Sequence, residues 1–528
     1  MTAEVWVIGP DPFNRARLAA VAAEAGVRIH PLLSYEAVRG ETFPLEQLLE
    51  KAAAQMAGAA FPPAGITGFW DFPVSDMVPI LAQRFGLRGP PLEAVVKCED
   101  KFWSRLEQRK VVPDCVPRFA RFDPFAADPL AQIDLPFPFW IKPVKAWRSQ
   151  LGFRIGNQAD FREALAVIRE QIGSLAEPFN ALLRHLDLPA GISGREGAYC
   201  LAEELITGRQ CTLEGYVLDG EVVLYGIVDS IRYPNATTFS RYQYPSRLPV
   251  AVRRRMQERA RTLVAFLGLD NTAFNIEFFY DSSRDRVWLL EINPRISQSH
   301  SELFAKVDGY SNLRILLDVA LGRHPQRRAG AGAFRCAAKY FLRRFADAEV
   351  EAVPGEADRR RLANEIPGAL AEIEVAPGMH LAELPHQDPY SYELGYVFLG
   401  AANQRQLLQR IRRAEALLPF RLKARDAGEE DATMAGSNGE ETGGGLSIKE
   451  VRELAARLSA EEIESCIHHQ LDEGHNPCAP DEQAEEAMNV LAKAEYVRHL
   501  MDRGQTLSDA IRELGRRIRA VQQGGPGA

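Results

Sequence analysis

Residues 274–295 hold the types and spacings from which chemistry can be built. Phe274-Asn275-Ile276-Glu277-Phe278-Phe279 is apolar and alternating, residues 281–286 are polar, and Val287 to Arg295 alternates again through Glu291 and Asn293. Two strands joined by a turn are the natural reading. Strand periodicity puts Ile276 and Phe278 on the face opposite Glu277, and Leu290 and Ile292 opposite Glu291 and Asn293. Two carboxylates and an amide oxygen then converge on one face. That is the oxygen donor set a hard cation such as Mg2+ takes, with phosphate oxygens and water completing the octahedron. A solvent-facing hairpin also alternates with Glu, so the neighbouring sequence has to decide between the two.

Cations suited to phosphate stand upstream. Lys101 lies in Cys98-Glu99-Asp100-Lys101-Phe102 on a helical pattern from Ala94 to Lys110, and Lys142 lies in the short strand Phe139-Trp140-Ile141-Lys142-Pro143. A compact ammonium on a long stem suits mobile phosphates. Between the lysines and the acid hairpin, Cys211 to Glu221 alternates and turns at Asp219-Gly220, a strong hairpin signal, and Glu214 is expected to face the same cleft. Residues 229–249, read as a loop, bring Arg232, Arg241, Tyr242, Tyr244 and Arg247 together. Guanidinium groups grip carboxylates bidentately, so Arg232, Arg241 and Tyr242 are candidate substrate contacts.

Taken together, these segments resemble the ATP-grasp superfamily of ligases, whose hallmark is a pair of metal-binding acids ending in Glu-x-Asn-Pro-Arg, matched here by Glu291 to Arg295. The resemblance implies that Glu277, Glu291 and Asn293 hold two Mg2+ (or Mn2+) ions on ATP. It implies that Arg295, with Asn293, serves catalysis by steadying an acyl phosphate or the substrate carboxylate. Lys101 and Lys142 become phosphate contacts, and Tyr199 to Gly208 becomes the hinge between two lobes, with Glu203, Glu204 and Ile206 at the adenosine and Glu214 nearby. The implied reaction activates a carboxylate as an acyl phosphate for attack by an amine, releasing ADP and phosphate. The alternatives are a biotin carboxylase-like enzyme, weakened by the lack of a Met-Lys-Met segment, and a nucleotide-sensing scaffold without turnover. One departure from the family is the lid loop, residues 144–152, which keeps only Gly152 and offers Lys145, Arg148 and Ser149 instead.

The elements that must position these groups follow from the pattern along 528 residues. Residues 1–93 run strand, helix, strand, which predicts a parallel β-α-β domain; no GxGxxG follows the first strand, so a dinucleotide site is not supported. Residues 94–325 hold the two-lobed ATP-grasp domain, and 326–424 read as a small C-terminal α/β lobe. Residues 425–445, rich in Gly, Ala and acid, have the composition of a disordered linker. Residues 446–523 read as a helical module, with capping boxes at Ser447/Glu450 and Ser459/Glu462. The fold class is thus mixed, α/β and α+β, in several domains.

Composition narrows the function further. A net charge of −8 and no long basic run argue against nucleic acid, and no apolar stretch long enough for a membrane span occurs. Seven cysteines without a CxxC pair fit reduced thiols in a cytoplasmic enzyme. The expected partners are small-molecule carboxylate and amine substrates, with homo-oligomerisation or a protein partner through the helical tail. Cys466, His469, His475 and Cys478 have spacings that could satisfy Zn2+, but a helix face followed by a turn is the stronger reading of them.

Overall fold

In a computed structural model, the protein is described over residues 2–40, 44–146, 151–233, 238–345, 347–384, 391–424 and 448–458, with scattered positions beyond. The expected acidic linker, the middle of the lid loop, both tail capping boxes and most of the Cys/His set lie outside the described residues.

The first domain is a parallel sheet of three strands, β1 (Ala3–Ile8), β2 (Val27–Leu32) and β3 (Gly65–Thr67), with β1 in the centre. A helix at Pro12–Glu24 links β1 to β2, capped by the Asp11 carboxylate accepting from the Asn14 amide. The helical pattern from Ala94 to Lys110 divides into two, Leu92–Glu99 and Lys101–Val111. Asp100 between them is extended, and its side chain caps the second helix at the Trp103 amide. The break leaves Lys101 at the first position of a helix.

A four-stranded sheet follows, ordered β4-β7-β5-β6, from β4 (Phe119–Phe122), β5 (Phe139–Pro143), β6 (Phe153–Ile155) and β7 (Cys200–Glu204). The long helix Gln158–Leu183 covers it, burying Phe161, Leu165 and Ile168 against Phe139, Ile141 and Ile155. Residues 205–207 leave β7 and the chain enters a second, larger sheet. It contains β8 (Arg209–Leu218), β9 (Glu221–Arg232), β10 (Phe239–Tyr244), β11 (Thr272–Asp281), β12 (Arg286–Asn293) and β13 (Cys336–Arg344). After β14 (Ala348–Ala352) come β15 (Leu370–Ile373), β16 (Tyr392–Ala401) and β17 (Arg421–Ala424). Among the described residues the large sheet has eight strands, ordered β12-β11-β8-β9-β10-β13-β16-β15, while β14 and β17 pair separately.

Three expectations are corrected here. Among the described residues of 229–249, Asp229 to Arg232 and Phe239 to Tyr244 are strand rather than loop, since β9 runs to Arg232 and β10 returns antiparallel beside it. The C-terminal lobe shares the large sheet with the residues before it: β10 pairs with β13, Tyr242 opposite Lys339. Cys466 is disulfide-bonded, against the expectation of reduced thiols throughout, whereas Cys98, Cys115, Cys200, Cys211 and Cys336 are free and buried. The β8–β9 turn matches its signal, Asp219 (φ 51) and Gly220 (φ 79) both being left-handed as a type I′ turn requires.

One face of the large sheet is sealed by the helix Val250–Leu267, whose Met256, Leu263 and Val264 pack on Leu213, Phe274, Ile276 and Phe278. The polar partners of those residues, Glu277 included, are thereby forced to the other face. Described tail residues, among them Val451, Leu454, Ile463 and Val497, form a separate apolar cluster. No helix among the described residues is long and apolar enough to cross a membrane.

Candidate active site

β11 and β12 pair in register at Asn275 with Asn293 and at Glu277 with Glu291, so the two carboxylates stand directly opposite each other. The register then slips: Phe278 faces Leu289, which leaves Leu290 as a bulge. Strand alternation put Leu290 with Ile292 on the face opposite Glu291; Ile292 is buried as that predicts, but the bulge buries Leu289 in place of Leu290, which is half-buried. The bulge frees the Leu290 carbonyl, which accepts from Arg105 Nη2 at 2.7 Å.

Opposed carboxylates repel. Burial pushes the Glu277 carboxyl up, the Glu291 charge pushes it further, to about 7, and Arg295 pulls the other way. Such a pair is unstable in its ionised form without a cation. Asn293 completes the donor set: its Nδ2 donates to Asn275 Oδ1 at 3.0 Å, and its Oδ1 makes no hydrogen bond among the described residues. Two carboxylates and a free amide oxygen on one face suit a divalent hard cation.

A second carboxylate, Glu203 on β7, is in the opposite condition. It was expected at the adenosine, but its oxygens are taken by Arg105 Nε and Lys142 Nζ, each at 2.5 Å. Burial alone would raise it; the two cations hold it down to about 2. Lys142 stands across β5 and β7 by strand alternation, and Lys101 donates to the Ala146 carbonyl at 2.8 Å. Burial lowers the Lys101 ammonium to about 8, against the attraction of Glu291. Glu204 lies at the surface end of β7, 3.4 Å from Arg118 Nε, and Ile206 is half-buried in the segment linking the two sheets. Gly208 (φ +126) ends that segment so close to the Tyr280 carbonyl that a Cβ would collide with it, which seats the hinge against the acid hairpin.

Other expected members are placed elsewhere. Glu214 does not face an open cleft: its carboxylate is fully buried and accepts from Tyr225 at 2.6 Å and Asn312 at 3.0 Å, with His300 Nδ1 at 2.6 Å. Of the three substrate candidates, Arg232 and Tyr242 share the cleft face, Arg232 donating to Gln210 Oε1 at 2.5 Å. Arg241 is turned to the opposite face by strand alternation, beside Gln243, which reaches Gln404 of the C-terminal lobe. Lys145, at the base of the lid, is buried in an ion pair with Glu99 and lies over the rings of Phe72 and Phe179.

Three residues that sequence reasoning missed complete the site. Arg105 ties the small sheet to the acid hairpin through Glu203 and Leu290; it follows Lys101 by one helical turn, a spacing that could have revealed it. Gln210 donates to Glu277 Oε2 at 2.8 Å and so links Arg232 to the acid pair; it alternates with Thr212 and Glu214 on β8. Asp71, after β3 of the first domain, accepts from Arg295 Nε at 2.7 Å and Nη2 at 2.6 Å, and carried no local signal.

With this geometry in view, comparison with known proteins is informative. Residues 135–302 match the family model of the ATP-grasp domain. No curated protein matches in sequence. Among solved structures, L-amino acid ligase from Bacillus licheniformis is similar over 79% of this chain and 98% of its own, with TM-score 0.61 and 16% identity. A biotin carboxylase complex from Campylobacter jejuni is similar over 80% and 92%, with TM-score 0.56 and 14% identity. Carboxyaminoimidazole ribonucleotide synthase from Aspergillus clavatus, complexed with ATP, is similar over 79% and 98%, with TM-score 0.55 and 17% identity.

Proposed function

We propose, from the ATP-grasp domain that residues 135–302 form, that the protein is an ADP-forming ligase that joins a carboxylate to an amine. The observation that carries this reading is the opposed pair Glu277 and Glu291, with the open Asn293 oxygen beside it, across from Lys101 and Lys142. Glu277, Glu291 and Asn293 would hold Mg2+, which supplies charge neutralisation to the triphosphate when bound. Lys101 and Lys142 would meet the phosphates, and the segment from Glu203 to Ile206 would border the adenosine.

Arg295 then has a defined place. Its guanidinium is held by Asp71 and feels both acids of the hairpin, so it lies where the terminal phosphoryl would meet the acid. A fixed cation there stabilises negative charge that develops on the transferring group and on the acyl phosphate. Arg232 and Tyr242, on the same face, would line the approach of the amine. The B. licheniformis structure is that of an L-amino acid ligase, and amino acids are the first substrates to test.

The test is incubation of the chain with MgATP and a panel of amino acids, small acids and bicarbonate, with chromatography of the nucleotide. Substrate-dependent ADP and phosphate are expected. AMP with pyrophosphate would overturn the reading, and bicarbonate-dependent turnover would favour a carboxylating enzyme.

A further inference from the structure

Asp71 and Arg295 come from opposite sides of the site, 224 residues apart, and meet through a single oxygen. Arg295 Nε and Nη2 both approach Asp71 Oδ1, at 2.7 and 2.6 Å, while Nη1 reaches the Ile296 carbonyl at 3.3 Å. A carboxylate that served only to neutralise an arginine would favour the two-oxygen fork. Here Oδ2 makes no hydrogen bond among the described residues, and the Asp71 side chain keeps 31% of its exposure. The segment that carries it is fixed: Phe69 and Phe72 are each 1% exposed, and Trp70 Nε1 donates to the Gly9 carbonyl at 2.9 Å. Asp71 is therefore held at the cleft with one oxygen spoken for and one open. Arg295 keeps its carboxyl ionised below the usual range, although burial opposes this.

A carboxylate and a guanidinium side by side, each with unused hydrogen-bonding capacity, complement a zwitterion. We propose that the acid activated at this site is an α-amino acid whose ammonium is received by Asp71 Oδ2 while its carboxylate lies at Arg295. This rests on the ligase reading above and gives it a substrate class. A free ammonium brought into a partly desolvated cleft needs a counter-charge, and among the described residues Asp71 supplies one within reach of Arg295. Asp71 also becomes the first domain's direct contribution to the site.

The experiment compares the full-length protein with Asp71→Asn and Asp71→Glu, using matched pairs: L-alanine and propionate, L-phenylalanine and 3-phenylpropionate, L-glutamate and glutarate. The readouts are ADP release for each acid and calorimetric ATP affinity, which also reports folding. The wild type should prefer the amino acid of a used pair. Asp71→Asn should lower kcat/KM for the amino acid by roughly 10- to 100-fold, the scale of a lost charged hydrogen bond, chiefly through KM. Because Asp71 also holds Arg295, the desamino acid should lose activity as well, but by a factor roughly tenfold smaller than the amino acid does; ATP affinity should change by no more than about threefold, and Asp71→Glu should recover part of the preference. Equal losses on both members of a pair, or a wild type indifferent to the amino group, would overturn the proposal and leave the ligase reading standing. ATP binding without ADP release under any acid would instead remove the ligase reading itself.

Discussion

A buried glutamate and a half-buried one on neighbouring sheets show how context decides what a carboxylate is for. Glu203 accepts from Arg105 and Lys142 and is held down to about 2; Glu277 faces Glu291 and is pushed up to about 7. The first charge is already answered by protein. The second pair has no direct ion pair among the described residues: Gln210 donates to Glu277, while Arg295 and Arg232 act on Glu277, and Lys101 on Glu291, from farther off. Burial penalises both sites, so the difference lies in the partners that each strand register supplies. An answered carboxylate fixes Lys142, the proposed phosphate contact, and an unanswered pair is the place where the proposed reading would seat a cation.

The largest effect should come from breaking the answered site. Glu203→Ala leaves the buried Arg105 and the half-buried Lys142 without their carboxylate, which costs about 3–5 kcal/mol and, in a chain of this size, should lower the melting temperature by roughly 5 °C. Scanning calorimetry checks it. An unchanged transition would mean that Glu203 is not the anchor of these cations.

A smaller effect sharpens the comparison at its midpoint, because Lys101 lies under the influence of both Glu291 and Glu203. Burial lowers its ammonium to about 8, so below that pH the charge is present and above it the charge is lost. ATP affinity should therefore fall as pH rises from 7 to 9, by roughly tenfold at one unit above the midpoint. Lys101→Arg, charged throughout, should flatten the profile. A slope retained in that variant would assign the titration to another group.

Much of this architecture is legible in local patterning. Alternation through Glu277, Glu291 and Asn293 announced the β11–β12 hairpin, and Asp219-Gly220 announced the turn of the separate β8–β9 hairpin, because strand period and turn chemistry act over a few residues. What escaped was long-range. The bulge at Leu290 arises from pairing between strands, and the continuation of the large sheet into the C-terminal lobe depends on β10 meeting β13 nearly a hundred residues later. The Asp71–Arg295 and Arg105–Glu203 contacts join residues far apart in the chain, and no periodicity encodes such partners. Glu214 shows the converse: alternation placed its face correctly, but could not reveal that Tyr225, Asn312 and His300 enclose it.

The central claim, that Glu277 and Glu291 await a divalent cation on ATP, is tested most directly by calorimetric titration of ATP with and without Mg2+ into the wild type and Glu291→Gln. In the wild type Mg2+ should tighten ATP binding. In the folded variant that dependence should largely vanish, and turnover should fall by at least roughly 10²-fold, the scale of lost transition-state charge stabilisation. A folded Glu291→Gln protein with the wild-type Mg2+ dependence and undiminished turnover would contradict the account.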